Sequence, residues 1–278
     1  MADVAQAFVP GHVTGFFTTN TDPDPTKAGS RGAGVALSSG VSVTVRPAAA
    51  AGVVLNGEAV RMEAVERMLR ALGVRAEVRG VTDLPLGAGF GVSGAMTLGG
   101  ALAANAAFDR RLSENELVTI AHGAEVQVGT GLGDVVAQAR GGVPIRLEPG
   151  GPQDNLLDGI PAERRVEHHV MGELSTDDVL SGETEALTEA GKTALSEVVG
   201  EPTMAQFMRA SRQFSRESGL LTADVRKVIT DVNEVGGTAA MAMLGETVFA
   251  LGTGLSDAGY DPEVCRIHQA GATVEPTD

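Results

Sequence analysis

Apolar and polar positions alternate along the first fifty residues, and a spacing of three and four takes over soon afterwards. Alternation of this kind puts one face of an extended chain into a core, so residues 4–9, 34–37 and 41–45 predict strands. An Asp-, Pro- and Thr-rich loop over residues 18–26 separates the first two. Residues 53–55 followed by Asn56-Gly57 predict a hairpin return. Val65, Met68, Leu69 and Leu72 then recur at helical spacing and predict a helix over 63–72, with a strand at 76–81 beyond it. A helix of small residues, 96–107, comes next. Ser113, with Glu116 at the capping-box position, opens another that runs to about 126. A short helix at 134–139 and the turn Gly141-Gly142 lead into a strand at 143–147.

Pro149-Gly150-Gly151-Pro152 is the best candidate boundary and divides the chain into 1–150 and 151–278, with a strand or two of the first part expected to continue past it. The second part predicts a strand at 166–171, helices at 177–180, 183–199, 202–218 and 222–235, and strands at 241–244 and 247–251 joined across Gly245-Glu246. A short helix near Asp257 and a strand at 264–269 complete it. Strands mixed with helix pairs predict an α+β fold in two lobes.

With 278 residues and 43% apolar side chains, the chain can bury a full core without covalent staples. Cys265 is the only cysteine, so an internal disulfide is excluded, and no Cys/His run has zinc spacing. The N-terminal residues have neither the basic nor the apolar stretch of a signal peptide, and no run reaches the ~20 apolar residues of a membrane span. The expectation is a cytoplasmic protein. Its formal charge of −15, with three lysines among 21 basic residues, opposes binding to nucleic acid or anionic membranes. Abundant carboxylate with scarce lysine also resembles the protein style of salt-loving archaea, whose saline cytosols screen such self-repulsion.

The candidate chemistry centres on residues 84–95, LPLGAGFGVSGA, which run straight into the small-residue helix. Glycines alternating with small side chains leave backbone N–H groups open beside the positive end of a helix dipole, which is a cradle for phosphate. A Walker loop is excluded, because it needs a lysine and none lies between Lys27 and Lys192. Residues 89–94 do spell GxGxxG. A dinucleotide fold, however, needs a second strand ending in an acid about twenty residues on, and 101–126 predicts helix, turn and helix instead. A second segment, from Glu125 through Gly129-Thr130-Gly131 to Asp134, ends shortly before Gly141-Gly142.

Together these residues resemble the GHMP kinases, the superfamily of galactokinase, homoserine kinase, mevalonate kinase and phosphomevalonate kinase. PLGAGFGVSGA stands for the second motif, with Ser93 alone where the family usually carries two or three serines. The resemblance implies two lobes, one like ribosomal protein S5 domain 2 and one ferredoxin-like, and commonly a homodimer. It also implies that Pro85, Gly87, Ala88, Gly89, Phe90, Gly91, Val92, Ser93, Gly94 and Ala95 hold the triphosphate of ATP. Ser93 and Glu125 would then bind Mg²⁺, and Asp134 would accept the proton of the substrate hydroxyl. Hard oxygen donors suit that ion. The Glu-to-Asp separation is slightly shorter than in mevalonate-type members, and residues 236–245 stand only loosely for the third motif.

The string AFVPGHVTGFF at 7–17 and GSRGAG at 29–34 resemble the archaeal branch that phosphorylates the 4-hydroxyl of (R)-pantoate on a route to coenzyme A. A hydroxy acid needs a cation and short polar side chains in its pocket. Arg146 is the first candidate for the carboxylate. Ser30, Arg31, His122 (one helical turn before Glu125) and His12 are the others. Two further readings remain open: a kinase of the same superfamily acting on homoserine, shikimate or mevalonate, and a catalytically silent nucleotide-binding regulator. Ser93, Glu125 and Asp134 occurring together argue against the second.

Overall fold

The structure, a computed structural model, describes residues 4–173, 185–243 and 245–276. Two long strands organise the first half, β1 (Ala5–Phe17) and β2 (Gly32–Pro47), paired antiparallel along nearly their whole length. Each is longer than the local alternation predicts. Register shifts at Pro10/Gly11 and Thr14/Phe16 break the alternation, and both strands are buried on the two sides over much of their length, so their apolar pattern is continuous there rather than periodic.

The short pair β3 (Gly52–Leu55) and β4 (Glu58–Ala59), then α1 (Glu63–Leu72) and β5 (Ala76–Val81), follow close to expectation. Helix α1 buries Val65, Met68, Leu69 and Leu72 and stops at Gly73, whose φ of 65° turns the chain out of the helix. Helix α2 (Val92–Ala107) begins four residues before its expected start, which places Ser93 inside its first turn. Helix α3 (Glu114–Val128) carries the expected capping box between Ser113 and Glu116. Helix α4 (Asp134–Arg140) and strand β6 (Pro144–Glu148) come next.

The eight-stranded sheet has the order β12 (Thr273–Glu275)-β1-β2-β5-β3-β4, with β6 paired to the other end of β2 and β7 (Leu156–Gly159) paired to β6. Strands β7 and β12 join this sheet from beyond residue 150, where a strand or two is expected to continue, but being short and largely exposed neither is placed by the sequence pattern. A second sheet, β11-β8-β10-β9, is antiparallel throughout: β8 (Arg165–Glu173), β9 (Thr238–Ala242), β10 (Gly245–Leu251) and β11 (Glu263–Arg266). Strand β9 starts three residues earlier than expected, and Glu246 lies within β10 rather than in a turn. Helices α5 (Glu185–Gly200), α6 (Met204–Glu217) and α7 (Ala223–Glu234) precede β9, and the short α8 (Gly254–Asp257) follows β10. The expected helix at 177–180, residues 183–184 and Leu244 lie outside the described residues.

Helix α6 is the mortar between the sheets. Phe207 sits between Phe16 of β1 and Phe249 of β10, with ring centroids 6.2 Å from each. All three rings are fully buried. The result is the expected α+β class, with helix α2 packed across β1 and β2 and the loop before it touching β8 and β10 of the second sheet through Phe90 against His168 and Ala88 against Thr247. Among the described residues, no helix is long and apolar enough to cross a membrane.

Candidate active site

A cleft of about 800 Å³ opens at the N-terminus of α2. Its walls include Gly87, Gly89, Phe90, Gly91, Val92 and Ser93 on one side, and Gly131, Gly133 and Asp134 on another. Thr14, Ser30, Arg146 and Met243 close it. Pro85, Ala88, Gly94 and Ala95, expected with the phosphate-binding residues, are not among these lining residues. Ala88 and Ala95 are fully buried behind the wall.

Helix α2 begins without a side-chain cap and without an acidic residue in its first turn. Its first N–H groups are therefore free to bind an anion in the cleft. Gly91, at the N-cap, has φ 64°, a left-handed conformation that costs other residues about 1–2 kcal/mol. A methyl group on it would also lie 3.0 Å from Gln138 Nε2 and 3.2 Å from Asp134 Cβ. Gly91→Ala is accordingly expected to lower Tm by about 2–8 °C and to raise KM for ATP, checked by thermal melts and initial rates.

The loop is braced from behind by parts of the chain that sequence spacing does not connect to it. His12 donates its backbone N–H to the Phe90 carbonyl at 2.9 Å, and Gln138 Nε2 donates to the Gly91 carbonyl at 2.9 Å. Thr247 Oγ1 donates to the Ala88 carbonyl at 2.9 Å. A Cβ on Gly245 would collide with that same carbonyl at 2.2 Å, so the β9–β10 connection approaches the loop through a bare backbone.

Glu125 lies below the cleft floor, 1% exposed. Three hydroxyls converge on it. Thr97 Oγ1 and Ser93 Oγ donate to Oε1 at 2.6 and 2.9 Å, and Thr130 Oγ1 donates to Oε2 at 2.7 Å. Burial pushes its carboxyl up from the usual range and the nearby Asp134 adds to this, while the hydroxyls oppose it. Among the described residues no cationic side chain pairs with it. Gly131 passes between the two acids: a methyl there would sit 3.3 Å from Glu125 Oε2 and 3.6 Å from Asp134 Oδ2.

Asp134, the first residue of α4, is half-buried and accepts a 2.8 Å hydrogen bond at Oδ1 from Nδ1 of the fully buried His12. Burial raises the Asp134 carboxyl, but the His12 hydrogen bond and the nearby Arg146 charge oppose it, and the group is held below the usual range. Arg146, on β6, is 2% exposed, and burial lowers its guanidinium to about 10 against the attraction of Asp134. Its Nε and Nη1 have no hydrogen-bond partner among the described residues. Arg146 Nε and Ser30 Oγ both press against Gly133, where a methyl would lie 2.6 and 2.5 Å from them.

Of the remaining expected substrate residues, Ser30 lines the cleft, whereas His12, His122 and Arg31 do not. His122 Nε2 reaches the Ala28 carbonyl at 2.8 Å and so secures the loop that carries Ser30. Arg31 faces outward and pairs with Glu148 at 2.6 Å. Thr97, Thr130, Thr14 and Gln138 were not singled out in the sequence. Thr97 follows Ser93 by four residues and Gln138 follows Asp134 by four, so helical spacing alone places each pair on a common face. Thr247 carries no comparable signal.

The two-lobed fold, the open helix start and the paired acids define a class of small-molecule kinase, and residues 59–142 match the GHMP kinases N terminal domain family. Enzymes of that class use ATP. A pantoate kinase of Thermococcus kodakarensis is 36% identical over 263 residues, covering 88% of this chain and 87% of that protein. One from Methanospirillum hungatei is 33% identical, covering 88% and 86%. A solved structure described as a phosphotransferase related to the CoA biosynthesis pathway matches with TM-score 0.88 at 31% identity, covering 98% of this chain and 99% of that one. The chain belongs to the pantoate kinase family.

Proposed function

We propose that the cleft seats ATP against residues 84–95 and transfers its γ-phosphoryl group to the 4-hydroxyl of (R)-pantoate, giving (R)-4-phosphopantoate and ADP. A P–O bond forms to the substrate oxygen as the bond to the β-phosphate bridging oxygen breaks, and the hydroxyl proton passes to Asp134. The relatives named pantoate kinase support the substrate. The observation that carries the reading is Arg146. A buried guanidinium with two unpartnered nitrogens, beside the proposed proton acceptor, is costly unless an anion completes it, and the carboxylate of a hydroxy acid would do so.

Transfer of a phosphoryl group depends mainly on alignment and charge neutralisation. The N–H groups at the start of α2 would hold the phosphates, and Ser30 would hydrogen-bond the substrate. Ser93 and Glu125 fit Mg²⁺. They offer hard oxygens, and Glu125 is a buried carboxylate whose charge no described side chain balances. No group of three or more His, Cys, Asp or Glu is placed to hold a metal among the described residues, so water and phosphate oxygens would fill the other positions. When bound, the ion supplies neutralisation of the charge building on the phosphates.

Substrate-dependent ADP release with (R)-pantoate, homoserine, shikimate and mevalonate tests the assignment. Turnover is expected with pantoate, and turnover with one of the other alcohols but none with pantoate overturns it. Arg146→Ala is expected to raise KM for pantoate by about 10–100-fold, the loss of a hydrogen-bonded charge pair, with KM for ATP nearly unchanged. An unchanged pantoate KM removes Arg146 from the pocket.

A further inference from the structure

His12 is fully buried, 122 residues from Asp134 in sequence and 2.8 Å from it through Nδ1. An ionised carboxylate can only accept, so Nδ1 carries the proton of that bond. Nε2 has no partner among the described residues and rests on the backbone of Gly34, where a Cβ would lie only 2.2 Å away. A proton on Nε2 would be enclosed there with no acceptor, whereas a lone pair in the same place costs much less. The charged groups around the ring agree. Asp134 on α4 favours the imidazolium, but burial and Arg146 on β6 disfavour it and prevail. Asp134 is itself faced by His12, by Arg146 and, from α3, by Glu125.

We infer that His12 is a positioning residue for phosphoryl transfer: as a neutral Nδ1–H imidazole it pins Oδ1 of Asp134 and leaves Oδ2 for the incoming alcohol. Oδ2 is the oxygen on the Gly131 side of the cleft. The proton taken from the substrate stays on Asp134. His12 cannot relay it onward, because Nδ1 is already protonated and Nε2 is enclosed. The backbone N–H of the same residue holds the Phe90 carbonyl, so one position on β1 aligns both the proton acceptor and the phosphate loop. The inference rests on Asp134 being the proton acceptor.

Two measurements test it. In protein labelled with ¹⁵N-histidine, long-range ¹H–¹⁵N spectra at neutral pH are expected to show an Nδ1–H neutral ring whose signals vanish in His12→Asn. An imidazolium or an Nε2–H ring at this position overturns the inference, whatever Asp134 does in the reaction. In kinetics, His12→Asn keeps an amide donor close to the Nδ1 position, and His12→Phe keeps bulk without a donor. His12→Phe is expected to lower kcat by about 10²-fold, with both KM values within about threefold, and His12→Asn to recover most of the loss. In an Asp134→Asn background the two substitutions are expected to have equal effects. Equal losses in the parent chain, or a loss confined to KM, overturns the inference. If Asp134→Asn alone left kcat intact while the spectra showed the Nδ1–H ring, the proton-acceptor reading would have failed and the tautomer assignment would stand.

Discussion

Replacing Asp134 with Asn is expected to lower kcat by about 10²–10⁴-fold, the usual worth of a positioned proton acceptor, with KM for ATP changed little. Asn preserves the size of the side chain and an oxygen for His12 to bond, so the loss isolates proton acceptance from packing. Single-turnover rates with saturating ATP and pantoate measure it directly. The pH dependence has a definite sign. His12 and Arg146 hold the carboxyl below its ordinary value of 3.8, so the midpoint of Asp134 ionisation lies below that value. The pH–rate profile should show no acidic limb from this group with its midpoint at or above 3.8, and a limb near neutrality that moved in Asp134→Glu would contradict the assignment. Low basicity suits the reaction, because a loose phosphoryl-transfer transition state asks for an oriented hydroxyl more than for a strong base.

Glu125→Gln is expected to separate activity from stability. The carboxylate is buried and accepts from three hydroxyls, but no described cation balances its charge, a costly state in the absence of a bound ion. A neutral amide of the same shape removes that cost, so Tm without nucleotide should hold or rise. On the proposed reading turnover should fall by about 10²-fold or more, because a cation neutralising the phosphates would lose its protein carboxylate. Melting curves beside Mg²⁺-dependent rates read both effects. A collapse in Tm together with activity would make Glu125 a packing residue. Glu125→Ala is the harsher comparison, since it leaves three hydroxyls facing a hole.

Buried acids are also where the stability of this enzyme should respond to pH. Asp134 contributes stability above the unfolded carboxylate value, and that contribution fades as pH falls through its lower folded value. His12 acts in the same direction. Its folded value is depressed below 6.5, so the unfolded chain binds the extra proton first and stability declines as pH drops below 6.5.

The candidate phosphate loop can be named from the chain because the features that suggest it are local. Alternating glycines, a serine and an uncapped helix start are all specified within a dozen residues by backbone sterics and the helix dipole. Ser93, Glu125, Asp134 and Arg146 could be named for the same reason, each standing beside a turn or helix that short-range spacing reveals. The long strands were harder to read. Burial on both faces erases the alternation in β1 and β2, and bulges reset what remains. Strands β7 and β12 are exposed edge pieces whose sequences do not demand a partner.

Residue types and local spacing thus determine which groups the chain offers: a glycine-rich loop running into a helix, two acids, an arginine and an α+β pattern. Partnership was decided by tertiary structure. His12, expected beside the substrate, instead bonds Asp134 across 122 residues, and Thr247 braces the loop at Ala88 across 159. His122 secures the Ala28 carbonyl, and Arg31 turns outward to Glu148. The physical reason is that a hydrogen bond between distant segments needs only a donor and an acceptor brought to within about 3 Å, and many positions in a chain could supply either. Only the packing of β1, α4 and the second sheet around one cleft selects the pairs that form.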